Sequence, residues 1–184
     1  MPESDLQSIV VDVVLQHVQP TVARQLVVPT TLTWAEFHEV LQIAMGWHNY
    51  HLFEFRVGAL TMYAPDDELV PSETEWDATL HTLAEVQPTK GDAWHYVYDF
   101  GDDWMHQLMV VETMQEIQIP TVMSGTGACP PEDVGGPPGY QMFREAYQDP
   151  DHPQHQEYRQ WAPHYRSSFD TAAVNKQLQK WARG

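Results

Sequence analysis

The stretch AWHYVYDFGDDWMHQLMVVE, residues 93–112, predicts the hairpin around which the fold is built. Aromatic residues stand at every second position of its first half, from Trp94 to Phe100, as on a strand that turns one face to a core. The tripeptide GDD at 101–103 has the composition of a tight turn, and the strand-like alternation resumes after it. We therefore expect two antiparallel strands joined by an acidic tip.

The segments before this hairpin predict more strands and one helix. Residues 6–18 and the stretch RQLVVP, 24–29, are rich in β-branched residues and predict two strands. The tetrapeptide TWAE at 33–36 fits a capping box, which predicts the start of a helix, and Gly46 is a natural residue for its end. Residues 51–63 predict a strand, a turn and a second strand.

Three segments beside these elements are less regular. Residues 65–78 are acidic and contain two prolines, which predicts a solvated loop, and residues 79–86 form a short element of ambiguous type. Residues 114–139 contain five of the fourteen prolines and five of the ten glycines. That density of residues that interrupt regular structure predicts neither helix nor strand there.

Helical spacing returns near the C-terminus and completes the prediction of the fold. An apolar stripe runs from Tyr140 to Tyr147, residues 152–162 predict a short second helix, and Asp170 is a good N-cap for a third. The order of elements predicts an α+β class. We expect a mostly antiparallel, β-grasp-like sheet with a helix after its first hairpin, C-terminal helices packed on it, and a single domain over residues 6–182.

Composition excludes several classes of function. Twenty-six acidic residues face nine basic ones, for a formal net charge of −17, and such a surface repels nucleic-acid phosphates. No apolar run reaches the roughly 18 residues of a membrane span, and the start MPESDLQSIV lacks the features of a signal peptide. Cys129 is the only cysteine, so no internal disulfide can form. These observations predict a cytoplasmic protein that binds neither nucleic acid nor membrane.

Three long motifs resemble a known family, the plasmid Ri open-reading-frame-three-like family, over about residues 6–180. Its members are often described as passenger proteins of insertion elements, and some carry a resolvase-like label. The resemblance implies a compact α+β domain and an association with plasmids or mobile elements, but no particular activity. The motifs are PTTLTWAEFHEVLQIAMGWHNYHLFEF at 29–55, YVYDFGDDWMHQL at 96–108 and GACPPEDVGGPPGYQMF at 127–143.

The chain departs from the family pattern in ways that bear on its chemistry. Family members commonly carry Trp-Arg where this chain has Ala23-Arg24, and a second cysteine where it has Val134. A thiolate metal site of that kind cannot form here. A serine recombinase needs an activated serine and several arginines, whereas the motif region holds only Ser124 and, just beyond it, Arg144. Together with the acidic charge, this argues against DNA recombination.

Imidazole, thiolate and carboxylate groups in and beside the motifs make a divalent metal ion the candidate cofactor. The spacing matches no recognised ligand pattern, and each group also has a structural explanation, such as capping a turn or filling the core. The candidate ligands are His51, Asp102, His106, Cys129 and Asp133.

Two functions remain open. The first is a noncatalytic binding or interaction domain with a protein or small-molecule partner, because no catalytic constellation is recognisable. The alternative is a metal-dependent hydrolase with an acidic site between the hairpin tip, 99–106, and the loop at 129–136. The residues expected to contact a ligand are Tyr98, Asp99, Asp102, Asp103, Trp104, Glu132 and Asp133.

Overall fold

Eight strands form one sheet in the computed structural model, which describes residues 6–64 and 72–184. The order across the sheet is β5-β4-β3-β6-β7-β1-β2-β8, and every pairing except that of β4 with β5 is antiparallel. The predicted α+β class is confirmed. The strands are β1 (Ser8–Leu15), β2 (Ala23–Pro29), β3 (Phe53–Val57), β4 (Leu60–Tyr63), β5 (Glu75–Asp77), β6 (Ala93–Tyr98), β7 (Trp104–Met114) and β8 (Thr121–Thr126).

The helices begin and end largely where local sequence signals place them. Glu36 N–H donates to Thr33 Oγ1 at 3.1 Å while Thr33 N–H donates to Glu36 Oε2 at 2.8 Å, so the predicted capping box is confirmed. Gly46 ends this helix with φ 111°. No helix in the described ranges has the length and apolarity needed to cross a bilayer. The helices are α1 (Trp34–Met45), α2 (Gly136–Gln148), α3 (His155–Trp161) and α4 (Thr171–Trp181), with a 3-10 turn at Leu83–Val86.

The prediction that residues 114–139 contain neither helix nor strand is wrong for part of that range. Strand β8 forms because β2 pairs with one edge of it, and Asn175 of α4 occupies the other. Val122 N–H donates to Asn175 Oδ1 and Asn175 Nδ2 donates to Val122 O, both at 2.8 Å. Helix α2 starts at Gly136 with prolines in its first turn, where a missing N–H costs no hydrogen bond.

Two further expectations need correction. In the predicted loop at 65–78, residues 65–71 lie outside the described ranges, but β5 pairs in parallel with β4. A β-grasp core would place parallel strands at its centre, whereas here β6, β7 and β1 are paired antiparallel in the middle of the sheet. The single parallel pairing in the described part of the chain lies at the edge.

The core lies between one face of the sheet and α1. Trp34 and Phe37 on the helix pack on Phe55 and Trp94 of the strands, with ring centroids 5.0–5.5 Å apart between helix and strand. Aromatic side chains bury the most area of any type, so this cluster is a main source of stability. Helix α4 packs against β8 and α1, and so completes the predicted layer of C-terminal helices.

Arg24 on β2 ties several of these elements together from a buried position. Its guanidinium donates to the carbonyl oxygens of Ala44 (2.8 Å) and Met45 (3.3 Å) at the end of α1, and to those of Ala23 (2.8 Å) and Thr126 (2.7 Å) on β2 and β8. Burial lowers the pKa of Arg24 from its ordinary value of 12.5 to about 10, so it stays charged at neutral pH. A cation is favoured beside the carbonyls that end a helix.

Replacing Arg24 should therefore destabilise the fold even when the charge is kept. Lysine has a single ammonium group and cannot satisfy four acceptors spread over three elements, so Arg24→Lys should lower the free energy of unfolding by about 2 kcal/mol or more. Urea denaturation measures the change. The matched control is Arg183→Lys at the exposed end of the chain after α4, which should stay within about 0.5 kcal/mol of the parent. Equal stability of Arg24→Lys and parent would contradict this role.

A second buried network fixes a histidine in its neutral form. His38 Nε2 lies 2.7 Å from Asn49 Oδ1, which only accepts, so Nε2 carries the hydrogen. Tyr96 O–H then donates to His38 Nδ1 (2.8 Å) and itself accepts from Gln42 Nε2 (2.9 Å). Burial lowers the pKa of His38, and likewise the pKa of His106, from 6.5 to about 4. Both rings are therefore neutral in the folded protein at neutral pH.

The two lowered pKa values predict a loss of stability in mild acid. Between pH 6.5 and about pH 4 the unfolded chain binds protons at these histidines and the folded chain does not. The free energy of unfolding should thus fall as the pH drops below 6.5, by up to about 1.4 kcal/mol per pH unit for each histidine. His106→Phe should reduce that slope in urea denaturation series. His95→Phe, at an exposed position of the same hairpin, should keep it, and an unchanged slope in His106→Phe would refute the assignment.

Candidate functional site

The tip of the β6–β7 hairpin presents one carboxylate oxygen away from the turn. Asp99 follows the last residue of β6 with φ 58°, a left-handed conformation that Asp adopts more readily than most residues. Its Oδ1 accepts from the backbone N–H groups of Gly101 (2.9 Å) and Asp102 (3.3 Å), which closes the turn. Its Oδ2 makes no hydrogen bond with the described residues and lies 3.5 Å from His51 Nε2, although the side chain is only 8% exposed.

Glu132 joins three segments at this tip. Its Oε1 accepts from the backbone N–H of His48 at 2.7 Å and from Tyr98 O–H at 3.0 Å. The same phenol oxygen accepts from Tyr50 N–H at 3.0 Å. Burial raises the pKa of Tyr98, and the neighbouring Glu132 raises it further, so the phenol stays protonated and donates. The end of β6, the segment after α1 and the loop before α2 are thereby held together.

A close backbone approach brings the same loop against the hairpin turn. Gly135 N–H donates to Asp102 Oδ2 at 3.1 Å. At Gly136, with φ 68°, a Cβ atom would lie 2.6 Å from Asp102 O, closer than real Cβ contacts. Only glycine fits at position 136, the first residue of α2.

His51, Asp99 and Asp133 form the centre of the candidate site. His51 Nε2 lies 2.9 Å from Asp133 Oδ1, and one oxygen of Glu132 is 3.9 Å away. One ligand atom from each of the three central residues lies within 4.8 Å of the others. Imidazole nitrogen and carboxylate oxygen are common ligand atoms of divalent metal ions, so these three side chains could bind one such ion.

An open groove of about 780 Å³ lies beside this cluster. Its walls are the segment after α1, the loop at 128–133, and the chain from the end of α3 into α4. Two large aromatic side chains on its walls are strongly exposed: Tyr50 at 70% and Trp161 at 48%. Phe100, predicted on the core face of its strand, lies past the end of β6 and is exposed beside the tip. The groove is thus apolar and aromatic along its walls and acidic at the end where Glu132 and Asp133 lie.

The comparisons with known proteins agree with this architecture. The family model described as "Plasmid pRiA4b ORF-3-like protein" matches residues 7–178. The chain belongs to this family. The uncharacterized protein y4hQ of Sinorhizobium fredii (strain NBRC 101917 / NGR234) is 43% identical over 183 residues, which cover 93% of this chain and 92% of that protein. The resemblance seen in the sequence motifs is therefore confirmed.

A solved structure extends the likeness to the fold. The crystal structure of MM3350, a protein of unknown function from Methanosarcina mazei Go1, superposes with a TM-score of 0.73 at 25% sequence identity. The match covers 92% of this chain and 98% of that one. The plasmid pRiA4b ORF-3-like fold is thus shared over almost the whole length of both chains.

The three plasmid pRiA4b ORF-3-like motifs meet at the candidate site. The motif at 29–55 supplies His51 and the amides that bond Glu132 and Tyr98, the motif at 96–108 supplies Asp99, and the motif at 127–143 supplies Glu132 and Asp133. Of the residues expected to contact a ligand, Asp99, Glu132 and Asp133 lie together. Tyr98 is fully buried, and its hydroxyl group takes part in the site by donating to Glu132.

Several other predicted site residues lie elsewhere. Trp104 and His106 are fully buried in the core, because β7 turns its even-numbered residues inward, and neither reaches the cluster. Asp102 bonds the backbone of the loop, and Asp103 is exposed in the turn with φ 54°. Cys129 lines the groove, but burial raises the pKa of its thiol well above the ordinary value, which disfavours the thiolate that a metal binds.

Sequence reasoning missed the wall of the groove formed by residues 161–170. This stretch, WAPHYRSSFD, mixes aromatic, proline and polar residues without helical or strand spacing. This irregular, aromatic composition is the one signal in the sequence that could have marked the segment as a binding surface. Nothing local indicates that the segment lies across from Tyr50. Val134, where family members commonly carry a second cysteine, packs partly buried against the core rather than facing the groove.

The bond between Tyr98 and Glu132 should be measurable as a coupling energy. Tyr98→Phe should lower the free energy of unfolding by about 1–3 kcal/mol, because the partly buried Glu132 carboxylate loses a donor and Tyr50 N–H loses its acceptor. The loss should be smaller in a Glu132→Gln background, with a coupling of about 1 kcal/mol or more in a double-mutant cycle. Tyr158→Phe, whose hydroxyl makes no hydrogen bond with described residues, is the matched control. Strict additivity would contradict the coupling.

Proposed function

We propose that this chain is a noncatalytic binding module that takes an extended, basic polypeptide segment of a partner protein into the groove beside the carboxylate cluster. The convergence of the three family motifs on one end of an aromatic-walled groove is the observation that carries the proposal. The groove's volume of about 780 Å³ is in the usual range for ligand sites, about 300–1,000 Å³.

The walls of the groove favour a polypeptide. Tyr50 and Trp161 offer flat exposed rings, and Pro130 and Pro131 form part of the opposite wall. Grooves lined by aromatic rings bind extended, proline-containing chains at low entropic cost, because such chains need little ordering on binding. Exposed aromatic residues of this size are also the side chains that dominate binding energy at interfaces.

The charges favour a basic segment. The chain carries a net charge of −17, and Asp133, which is 67% exposed, and Asp170 stand at the rim of the groove. The buried cation at the base, Arg24, is already occupied by four backbone carbonyls. Arg166 and two histidines also line the groove. The acidic field of the whole chain should still speed the approach of a basic partner and repel nucleic acid.

A peptide selection tests this proposal. Random dodecapeptides displayed on phage are selected on the immobilised full-length chain, and an enriched peptide is synthesised with a fluorescent label for anisotropy measurements. We expect enrichment of Lys or Arg together with Pro or aromatic residues. Binding should weaken several-fold between about 50 mM and about 300 mM NaCl, because screening reduces the electrostatic attraction.

Variants show whether the peptide occupies the groove. Trp161→Ala and Tyr50→Ala should each weaken binding by about tenfold or more, as expected for an aromatic residue central to an interface. Leu80→Ala removes an equally exposed apolar side chain that does not line the groove, and it should leave affinity unchanged. Enriched peptides that bind the Trp161→Ala variant as tightly as the parent would refute the proposed site.

Hydrolysis is a second candidate, favoured by the convergence of Asp99 with Glu132 and Asp133. Carboxylates around a bound divalent ion can activate water. The selected peptide and generic phosphoester substrates are incubated with the chain and added Zn²⁺ or Mn²⁺, and products are followed by mass spectrometry. Turnover that is abolished by Asp99→Asn would replace the noncatalytic proposal, whereas intact ligand after prolonged incubation supports it.

The composition and the family support a cellular setting for the proposed partner. The chain's single cysteine supports a cytoplasmic location for the interaction. The plasmid in the family's name favours a partner from a plasmid or mobile-element context.

A further inference from the structure

Three hydrogen-bond acceptors converge at one point beside the groove. The atoms are Asp99 Oδ2, Asp133 Oδ1 and His51 Nε2, which has a lone pair when the ring's hydrogen is on Nδ1. The nitrogen lies 2.9 Å from the Asp133 oxygen and 3.5 Å from the Asp99 oxygen. Acceptors at such distances repel one another unless a cation lies between them.

Hydrogen bonds within the protein do not resolve this convergence. His51 Nε2 is buried and makes no hydrogen bond of acceptable geometry with any described residue, although the distance to Asp133 would allow one. Asp99 is more than nine-tenths buried, and its Oδ2 accepts no hydrogen bond in the described ranges. A buried imidazole nitrogen without a hydrogen-bond partner is costly, and a carboxylate oxygen that accepts no hydrogen bond lies beside it. Together the two atoms point to a bound cation.

Glu132 stands apart from the other acids of the cluster. Its carboxylate already accepts from Tyr98 O–H and from His48 N–H, and the nearest oxygen is 3.9 Å from His51 Nε2. It therefore supports the site from outside the ligand set. Three protein ligands would leave coordination positions open toward the groove, since Asp133 is exposed there.

We propose that His51, Asp99 and Asp133 bind one divalent transition-metal ion, with Zn²⁺ as the best match and Mn²⁺ as the next. Metal–ligand bonds of about 2.1 Å separate neighbouring ligand atoms by about 3.0 Å in octahedral and about 3.4 Å in tetrahedral geometry, and the observed 2.9 and 3.5 Å bracket these values. An imidazole in the set selects against Ca²⁺ and Mg²⁺, which prefer oxygen ligands. The inference concerns the ion alone and holds whatever ligand occupies the groove.

The test titrates metal into the untagged full-length chain after removal of metal by a chelator. Isothermal titration with Zn²⁺ should show one bound equivalent, with binding to Ca²⁺ at least about tenfold weaker. In the ¹⁵N-labelled protein, the Nε2 resonance of His51 should shift on addition of Zn²⁺. Asp133→Asn and His51→Gln should each weaken Zn²⁺ binding by about tenfold or more.

Two further variants test whether a loss of Zn²⁺ binding is specific to the proposed site. Asp99→Asn keeps an oxygen for the Gly101 and Asp102 amides while removing the charged ligand atom, so a loss of Zn²⁺ binding with an unchanged circular dichroism spectrum supports the site. Asp151→Asn removes the same charge from an exposed position between α2 and α3 and should bind Zn²⁺ as the parent does.

Three outcomes would overturn the inference. They are the absence of a bound equivalent below about millimolar Zn²⁺, equal affinity of the parent and Asp133→Asn, and Ca²⁺ binding as tight as Zn²⁺ with a silent His51 resonance. The last result would show that the acidic surface attracts cations without a site. Because peptide anisotropy can be measured in chelator and in Zn²⁺, failure of the metal site and failure of the groove proposal are separate results.

Discussion

The bond from Tyr98 O–H to Glu132 is the interaction on which the candidate site depends. It connects the end of β6, which the sheet holds rigidly, to a proline-rich loop that lies outside the sheet. The same phenol accepts from Tyr50 N–H and the same carboxylate from His48 N–H, so one pair of side chains positions three segments. A neutral phenol and a charged acceptor form a strong bond in a site of low dielectric constant, and burial keeps the phenol neutral.

The site combines a rigid base with walls that lie outside the sheet. Asp99 is fixed by the turn that its own carboxylate closes, and Asp133 is presented by a loop pinned through Glu132 and Gly135. Both aspartates have positive φ angles, 58° and 57°, a conformation that persists only where the surroundings hold it. Arg24, a buried residue of β2 that bonds the end of α1, and Trp161, an exposed residue of α3, then border the groove. Binding at such a place needs little rearrangement of the protein, which favours affinity.

Local chemistry predicted the elements whose signals are complete within a few residues. The capping box at Thr33 and the alternating aromatics of β6 are such cases, because hydrogen bonding within a turn and the period of a strand are local properties. Strand β8 and the start of α2 were missed, because β8 exists only where β2 and Asn175 satisfy its backbone and because the prolines of α2 look like breakers until their position in the first turn is known. For the site, the acidic residues were found, but His106 and Trp104 were not distinguishable from exposed residues of the same strand.

The sequence alone determined the α+β class, the acidic charge, the family, and the two acid-rich segments that carry the candidate chemistry. These follow from composition, from periodicity and from motifs of a dozen or more residues, none of which requires knowledge of distant contacts. Only the tertiary structure decided that Asp99 and Asp133 face His51, that Asp102 binds a backbone amide instead, and that residues 161–170 form a groove wall. Metal ligation and ligand contact depend on distances of a few ångströms between residues up to about eighty positions apart, and such distances are set by how the sheet, loops and helices pack rather than by any local pattern.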